Sequence, residues 1–145
     1  MIKIKGISIR QPWADLVLRG VKTIELRDRI AIEEWPDYLV IHAPLTVEHI
    51  AASFYGYHKP WEMRRGVLLG IAKLETVITI DEKNFLETVE RHLMPFPFDG
   101  ERQGLVLRMI HQFETPIKFR GRLGLFDLTP ELYESTLLQI SNYTL

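Results

Sequence analysis

Two residues of opposite charge, Lys22 and Glu25, stand three positions apart after a short amphipathic segment. A lysine there can pair with a phosphate or a nucleobase carbonyl. A glutamate can accept a hydrogen bond from the exocyclic amine of cytosine or act as a general acid or base. In a regular strand the two side chains face opposite ways, so a direct pair needs a twist or bulge. The structural alternatives are a solvated Lys22 beside a turn and a salt bridge from Glu25 to Arg10 or Arg27.

Four side chains just ahead of this pair add polar and aromatic chemistry. Ser8, Arg10 and Gln11 offer a hydroxyl, a guanidinium and an amide, and Arg10 suits a bidentate phosphate contact. An ion pair between Arg10 and Glu25 is the alternative. Trp13 either stacks on a base or packs in the core, as its helical spacing with the next apolar residues favours.

The charge distribution predicts where a ligand of negative charge would bind. The net charge of −1 argues against a large basic nucleic-acid footprint. Residues 1–30 nevertheless hold seven Lys/Arg against three Asp/Glu, and residues 118–122 add three cations. We predict that these two basic clusters meet in space as one positive patch. The alternative is two unrelated solvated faces.

Composition excludes several other classes of protein. The chain has 145 residues and no cysteine, so disulfide and thiolate chemistry is absent. No apolar run is long enough to span a membrane, and the first residues lack the core of a signal peptide. We therefore expect a cytoplasmic protein. The five histidines form no metal-ligand pattern, so the sequence predicts neither a metal site nor a cofactor.

The elements that position these residues begin with a strand over 2–10. Its apolar pattern changes phase at Gly6, which predicts a bulge. A helix follows from Pro12, because proline suits the first helical position. Strands are then predicted over 22–27 and 38–43, the first alternating in polarity and the second uniformly apolar.

A second helix is predicted to begin after Thr46, whose side chain can cap it. Its buried face is expected to carry Val47, Ile50, Ala51 and Phe54 at helical spacing. Residues 57–65 then form an aromatic and basic loop. Such a loop either binds single-stranded RNA or covers one end of the fold.

The rest of the chain is predicted to be rich in strands. Its elements are a strand over 66–80, an acidic helix from Asp81 to about Leu93, a loop over 94–100, strands over 103–113 and 115–128, and a helix from Pro130. Most connections are too short for parallel crossovers. The predicted fold class is therefore α+β, a mostly antiparallel β-barrel of about six strands flanked by short helices. We expect a single domain over 1–145 with a helical extension over 130–140.

Three motifs carry a resemblance to a known family. The run Gly20-Val21-Lys22-Thr23-Ile24-Glu25, the preceding Ser8-Ile9-Arg10-Gln11-Pro12-Trp13-Ala14 and the tail Gly121-Arg122-Leu123-Gly124-Leu125-Phe126 are similar to ASCH domains. His42 falls where the third strand of such domains often ends in a polar residue. The resemblance covers about residues 4–128 and implies a PUA-like barrel.

The resemblance also implies a cleft between the first helix and the barrel, suited to RNA or a modified nucleotide. Some members of the family are hydrolases that act on N4-acetylcytidine, and others are described as ribonucleases or coactivator modules. The hydrolases carry a threonine nucleophile where Glu25 stands here, and Thr23 is offset from that position. Glu75 is another carboxylate that the chain could supply.

The sequence therefore predicts a domain that binds RNA or a nucleotide-like small molecule. The predicted ligand-binding residues are Ser8, Arg10, Gln11, Trp13, Lys22, Glu25 and His42. The alternatives are a metal-independent hydrolase that uses Lys22 and Glu25, and a protein-interaction module; the oligomeric state stays open. If the two residues form the site, Lys22→Ala and Glu25→Gln should abolish binding and leave the fold largely intact, as expected of surface positions.

Overall fold

A computed structural model describes residues 1–94 and 97–144 as a curled sheet of six strands. The strands are β1 Ile4–Ser8, β2 Ile24–Arg27, β3 Tyr38–Ala43, β4 Val67–Ile80, β5 Arg102–Lys118 and β6 Leu125–Asp127. Their order across the sheet is β2-β5-β4-β3-β1-β6. Every pair is antiparallel except β1 with β3. The predicted six-stranded, mostly antiparallel architecture is confirmed.

Four short helices flank the sheet. They are α1 Trp13–Leu18, α2 His49–Phe54, α3 Val89–His92 and α4 Pro130–Thr144, with a 3-10 turn at Pro60–Glu62. The C-terminal helix begins at Pro130 as predicted and runs four residues beyond the predicted end. Within the described part of the chain, no helix is long and apolar enough to cross a membrane.

The central strands are buried on both faces. One core cluster lies inside the curl of the sheet and includes Ile7, Ile9, Leu39, Ile41 and Leu105. A second cluster lies on the opposite face, where α4 packs, and includes Ile4, Val40, Leu68, Ile71 and Ile140. Burial of apolar surface on both faces holds the strands rigid, so the loops at their ends have a stable support.

The bulge predicted at Gly6 is wrong. β1 pairs with β3 in regular register from Ile4 with Tyr38 to Ser8 with His42. The apolar pattern changes phase because both faces of β1 are buried: Ile4 packs in one cluster and Ile7 in the other. Gly6 is needed for close approach, since a Cβ there would lie 2.2 Å from the ring of Phe126.

The second helix differs from its prediction in both its cap and its buried face. Glu48, not Thr46, occupies the N-cap position, and its side chain makes no capping hydrogen bond. Ile50 and Phe54 are 89% and 71% exposed, whereas Ala52 is fully buried. The reason is that a bridge from Gln11 to Val47 anchors the chain just before the helix and leaves the Ala52 side facing inward.

The acidic helix predicted over 81–93 is mostly a series of turns that ends in the short α3. The Asp81 carboxylate accepts hydrogen bonds from the N–H groups of Lys83 and Asn84, at 2.9 and 3.0 Å. The hydroxyl of Thr88 donates to the carbonyl of Asn84. Such local side-chain bonds compete with a regular helix. Pro95 and Phe96 of the predicted loop lie outside the described residues.

The two strands predicted over 103–113 and 115–128 are also corrected. β5 runs without a break through Lys118, because it stays paired with β4 as far as the Val67–Lys118 pair. Register shifts along the β4–β5 ladder keep the two strands paired although the apolar pattern of β5 is irregular. That irregularity is the reason why two strands were predicted. Only residues 125–127 form a separate strand, β6, and residues 119–124 form a loop between the two.

Candidate functional site

A cavity of about 750 Å³ opens beside the start of α1, β2 and the loop before β6. Five of the seven predicted site residues line it: Ser8, Arg10, Trp13, Lys22 and Glu25. Residues that the sequence analysis did not assign to the site complete the wall, among them Arg27, Phe85, Met94, Arg102 and Arg122. The cavity therefore brings together groups from both ends of the chain.

Lys22 and Glu25 lie on the same side of the chain because Lys22 stands outside the strand. The N–H of Lys22 donates to the carbonyl of Leu16, and that of Thr23 donates to Arg91. The β2–β5 ladder begins only at Ile24. Because Lys22 precedes the strand, the alternation of side chains in a regular strand does not apply to it. Its side chain can therefore lie on the same side of the chain as that of Glu25.

Lys22 forms the floor of the cavity and is 1% exposed. Its Nζ donates to the carbonyl of His92, lies 3.6 Å from Glu25 Oε1 and stands 5.2 Å from the centre of the Trp13 ring. Burial lowers the pKa of Lys22, and the neighbouring Glu25 opposes that shift. Of the three donors of this ammonium, one bonds to the His92 carbonyl, and its charge also faces Glu25 and the Trp13 ring.

Glu25 is held between two cations. Besides Lys22 it pairs with Arg27, whose Nε and Nη2 lie 3.0 and 2.9 Å from Oε2. The predicted structural salt bridge is thus made with Arg27, while Arg10 pairs instead with Glu48 at 2.8 Å. Because Lys22 and Glu25 are both buried, the expectation that they are surface positions is wrong.

Ser8 and His42 form a hydrogen-bonded pair at the wall. Ser8 Oγ lies 2.9 Å from His42 Nδ1 and 2.8 Å from the carbonyl oxygen of Arg122. His42 Nε2 lies 2.9 Å from the carbonyl oxygen of Phe119. His42 itself lies behind the wall, against Gly121, and burial lowers its pKa. Ser8 therefore faces the cavity, and His42 reaches it only through Ser8.

Gln11 does not line the cavity, although it was predicted to bind ligand. Its side chain is 1% exposed. Its Nε2 donates to the carbonyl of Arg64 at 3.0 Å, and its Oε1 accepts from the N–H of Asp15 at 2.9 Å. Both ends of the amide are thus used to join α1 to the following loop. Sequence alone does not separate this role from ligand binding.

Trp13 packs in the core, as its helical spacing predicted, and it also borders the cavity; its stacking on a base stays a prediction. Its ring packs in the core and makes an edge contact with Tyr55, with ring centroids 5.4 Å apart. It is only partly buried, and it also lines the cavity. The indole can therefore offer a surface to a ligand while being held in place by its neighbours.

Thr23 and Glu75, the two other side chains that could take part in hydrolysis, make their contacts outside the cavity. The hydroxyl of Thr23 accepts from Arg91 Nε at 3.2 Å. The carboxylate of Glu75 pairs with Arg108, on the β4–β5 ladder. Neither residue lines the cavity, so neither supplies a nucleophile or a carboxylate to it.

The two basic clusters meet, as predicted. The N–H of Ser8 donates to the carbonyl of Gly124 at 3.3 Å, and its hydroxyl contacts Arg122. Arg27 could have been predicted as a site residue, because side chains two positions apart on a strand share a face. Arg102 could not, since only the long ladder of β5 with β2 brings it to this cavity.

The aromatic and basic loop over 57–65 packs on α1. The hydroxyl of Tyr57 donates to the Asp15 carboxylate and accepts from Arg19, and burial raises the pKa of Tyr57 to about 12. Arg64 lies 3.5 Å from Asp15. These contacts give the loop a covering role, and RNA binding by it stays a prediction.

The described residues offer no evident metal site. Across residues 1–94 and 97–144, no group of three or more histidine and acidic residues is arranged to hold a metal ion.

No curated protein sequence matches the chain. The model of the family described as the ASCH domain matches residues 7–120.

The fold is similar to crystal structures of ASCH from Zymomonas mobilis. The unmodified protein, a serine-to-alanine variant and a tyrosine-to-phenylalanine variant each match with a TM-score of 0.67 and 18% identity. The matches cover 94% of this chain and 94–97% of those chains. They confirm the predicted PUA-like fold, and the family model, which covers most of the chain, shows that this protein belongs to the ASCH domain family.

Proposed function

We propose that the cavity binds RNA or a nucleotide-like small molecule. The observation that carries this proposal is the convergence of Trp13, Lys22, Glu25 and Arg122 on one cavity. An indole can stack on a base, a carboxylate can accept from an exocyclic amine, and a guanidinium can hold a phosphate. A volume of about 750 Å³ falls in the usual range for small-molecule sites.

Few cations are available to phosphate groups at this site. Arg10 is paired with Glu48, and Arg102 is paired with both Asp28 and Asp99. Arg122 is exposed and makes no salt bridge with any other described residue. We therefore expect binding to be weak and to depend on a small number of phosphate contacts.

Fluorescence anisotropy with a labelled single-stranded RNA tests the proposal. With two or three phosphates contacted, affinity should fall by roughly tenfold between about 50 and 200 mM salt, because bound counterions are released. Absence of any signal at low salt would contradict the proposal. The cytoplasmic location expected from the sequence stays a prediction.

Arg122 offers a matched pair of variants for the same measurement. Arg122→Ala should weaken the binding of RNA and of nucleotides about tenfold, the usual effect of losing one charge-assisted contact. Arg120→Ala removes an equal charge from the same loop, but Arg120 does not line the cavity, so affinity should change little. Equal losses in the two variants would indicate a diffuse charge effect and not a site.

A metal-independent hydrolase that acts on RNA or a modified nucleoside is the second candidate. The observation that favours it is the lowered pKa of Lys22 directly beside Glu25, since such shifts cluster at catalytic sites. The chain is incubated with RNA and with N4-acetylcytidine in the presence of a chelator, and products are separated by chromatography. Turnover that survives the chelator supports the candidate, and no product from either substrate contradicts it.

A further inference from the structure

We propose that Ser8 is a nucleophile, activated by His42, that attacks the acyl carbon of small esters or amides held in the cavity. This inference goes beyond the binding function and does not depend on it. Ser8 Oγ and His42 Nδ1 are 2.9 Å apart, and Ser8 lines the cavity. A nucleophile and a base within hydrogen-bond reach, with the base oriented by a third group, are the parts that such chemistry requires.

The hydrogen bond to Phe119 determines where the proton of His42 lies. A carbonyl oxygen only accepts, so the proton of the neutral ring is on Nε2, 2.9 Å from the Phe119 oxygen. Burial favours the neutral ring. The lone pair of Nδ1 therefore points at Ser8 Oγ, which is the arrangement needed for Nδ1 to take the hydroxyl proton.

The imidazole is held in this orientation by its neighbours. The rings of Phe119 and Phe126 meet it edge-on, with centroids 5.9 and 6.1 Å away. Gly121 lies so close that a Cβ there would be 2.2 Å from Nδ1. A fixed ring reduces the reorganisation needed at the moment of proton transfer.

The Ser8 hydroxyl has two acceptors for its single proton. It donates to the Arg122 carbonyl at 2.8 Å, and His42 Nδ1 lies 2.9 Å away. The proton must turn from the carbonyl to Nδ1 before His42 can take it, and the lone pairs of the oxygen are then free to attack. Arg122, which lines the same cavity, provides positive charge for a developing oxyanion.

The proposed reaction proceeds in two steps. Ser8 Oγ bonds to the acyl carbon while its proton passes to His42 Nδ1. The bond to the leaving alcohol or amine then breaks, and that group takes the proton from Nδ1. Water next attacks the acyl-serine and gives its proton to Nδ1, and the returning Ser8 oxygen recovers that proton as the carboxylic acid is released.

The test uses p-nitrophenyl acetate and a fluorophosphonate with the full chain. Ser8 should displace fluoride and retain the phosphonate, and the acetate should give a burst of one nitrophenol per chain. Peptide mass spectrometry should place both labels on Ser8. His42→Gln should slow labelling by about a hundredfold or more, the usual contribution of a general base, and Ser8→Ala should not be labelled.

Ser53→Ala is the matched control, because Ser53 is an exposed serine on α2 and its loss should leave labelling unchanged. Folding of each variant is checked by circular dichroism. If His42→Gln does not fold, the wild-type burst and the labelled peptide still decide whether Ser8 is the nucleophile. A folded wild-type chain without label on Ser8, or a folded His42→Gln variant labelled at the wild-type rate, would overturn the proposal. Neither reagent contains RNA, so failure of RNA binding would be seen separately.

Discussion

Glu25→Gln should lower the free energy of unfolding by about 3–5 kcal/mol, the cost of removing one partner from a buried ion pair. Glu25 lies between the ammonium of Lys22 and the guanidinium of Arg27. A neutral amide in its place leaves two cations close together, one of them fully buried. Urea unfolding followed by circular dichroism measures the loss.

Lys22→Met should be far milder and change the same free energy by less than about 1.5 kcal/mol, as volume-conserving swaps do. In this variant Glu25 keeps its bonds to Arg27 at 3.0 and 2.9 Å, so no buried charge is left unpaired. The methionine fills the space of the lysine stem and avoids the cost of burying an ammonium. The two variants therefore separate the roles of the two charges.

Equal destabilisation by the two variants would contradict this account. It would mean that Arg27 does not hold Glu25 once Lys22 is gone. A double-mutant cycle that combines Glu25→Gln with Arg27→Met measures the coupling directly. We expect Arg27→Met to offset part of the loss in Glu25→Gln, because it removes one of the two unpaired cations.

Lys22→Met should also abolish binding of RNA and nucleotide ligands to the folded protein, with affinity lowered at least a hundredfold. Lys22 lines the floor of the cavity, and we assign its ammonium to a phosphate or carbonyl of the ligand. Because this variant is expected to keep the fold, the loss can be measured by anisotropy without correction for unfolded protein.

The control for this experiment is Lys83→Met, which makes the same change at an exposed lysine away from the cavity. Its affinity should stay within about twofold of the wild type, since one distant exposed charge is largely screened. Unchanged affinity in Lys22→Met would remove Lys22 from the site and favour a purely structural role for the Lys22–Glu25–Arg27 cluster.

Local patterns in the sequence predicted the parts of this fold that depend on local chemistry. Alternating and continuous apolar runs predicted the strands around Ile4–Ser8, Tyr38–Ala43 and Val67–Ile80, and Pro130 predicted the start of the last helix. Patterns failed where burial is on two faces, as at Gly6, or where side chains bond to nearby backbone, as at Asp81. Periodicity reports burial, and it does not say which neighbour causes it.

The sequence by itself determined the family, the motif that holds Lys22 and Glu25, and the two basic clusters that meet. Tertiary structure alone decided what each polar group contacts: Gln11 turns into the interior, Glu25 lies between Lys22 and Arg27, and Ser8 meets His42. The physical reason is that a hydrogen bond or ion pair depends on distances of about 3 Å. For Gln11 with Arg64 and for Ser8 with His42, those distances arise only when segments far apart in the chain are brought together. For Glu25 they also require that Lys22 stand outside the strand.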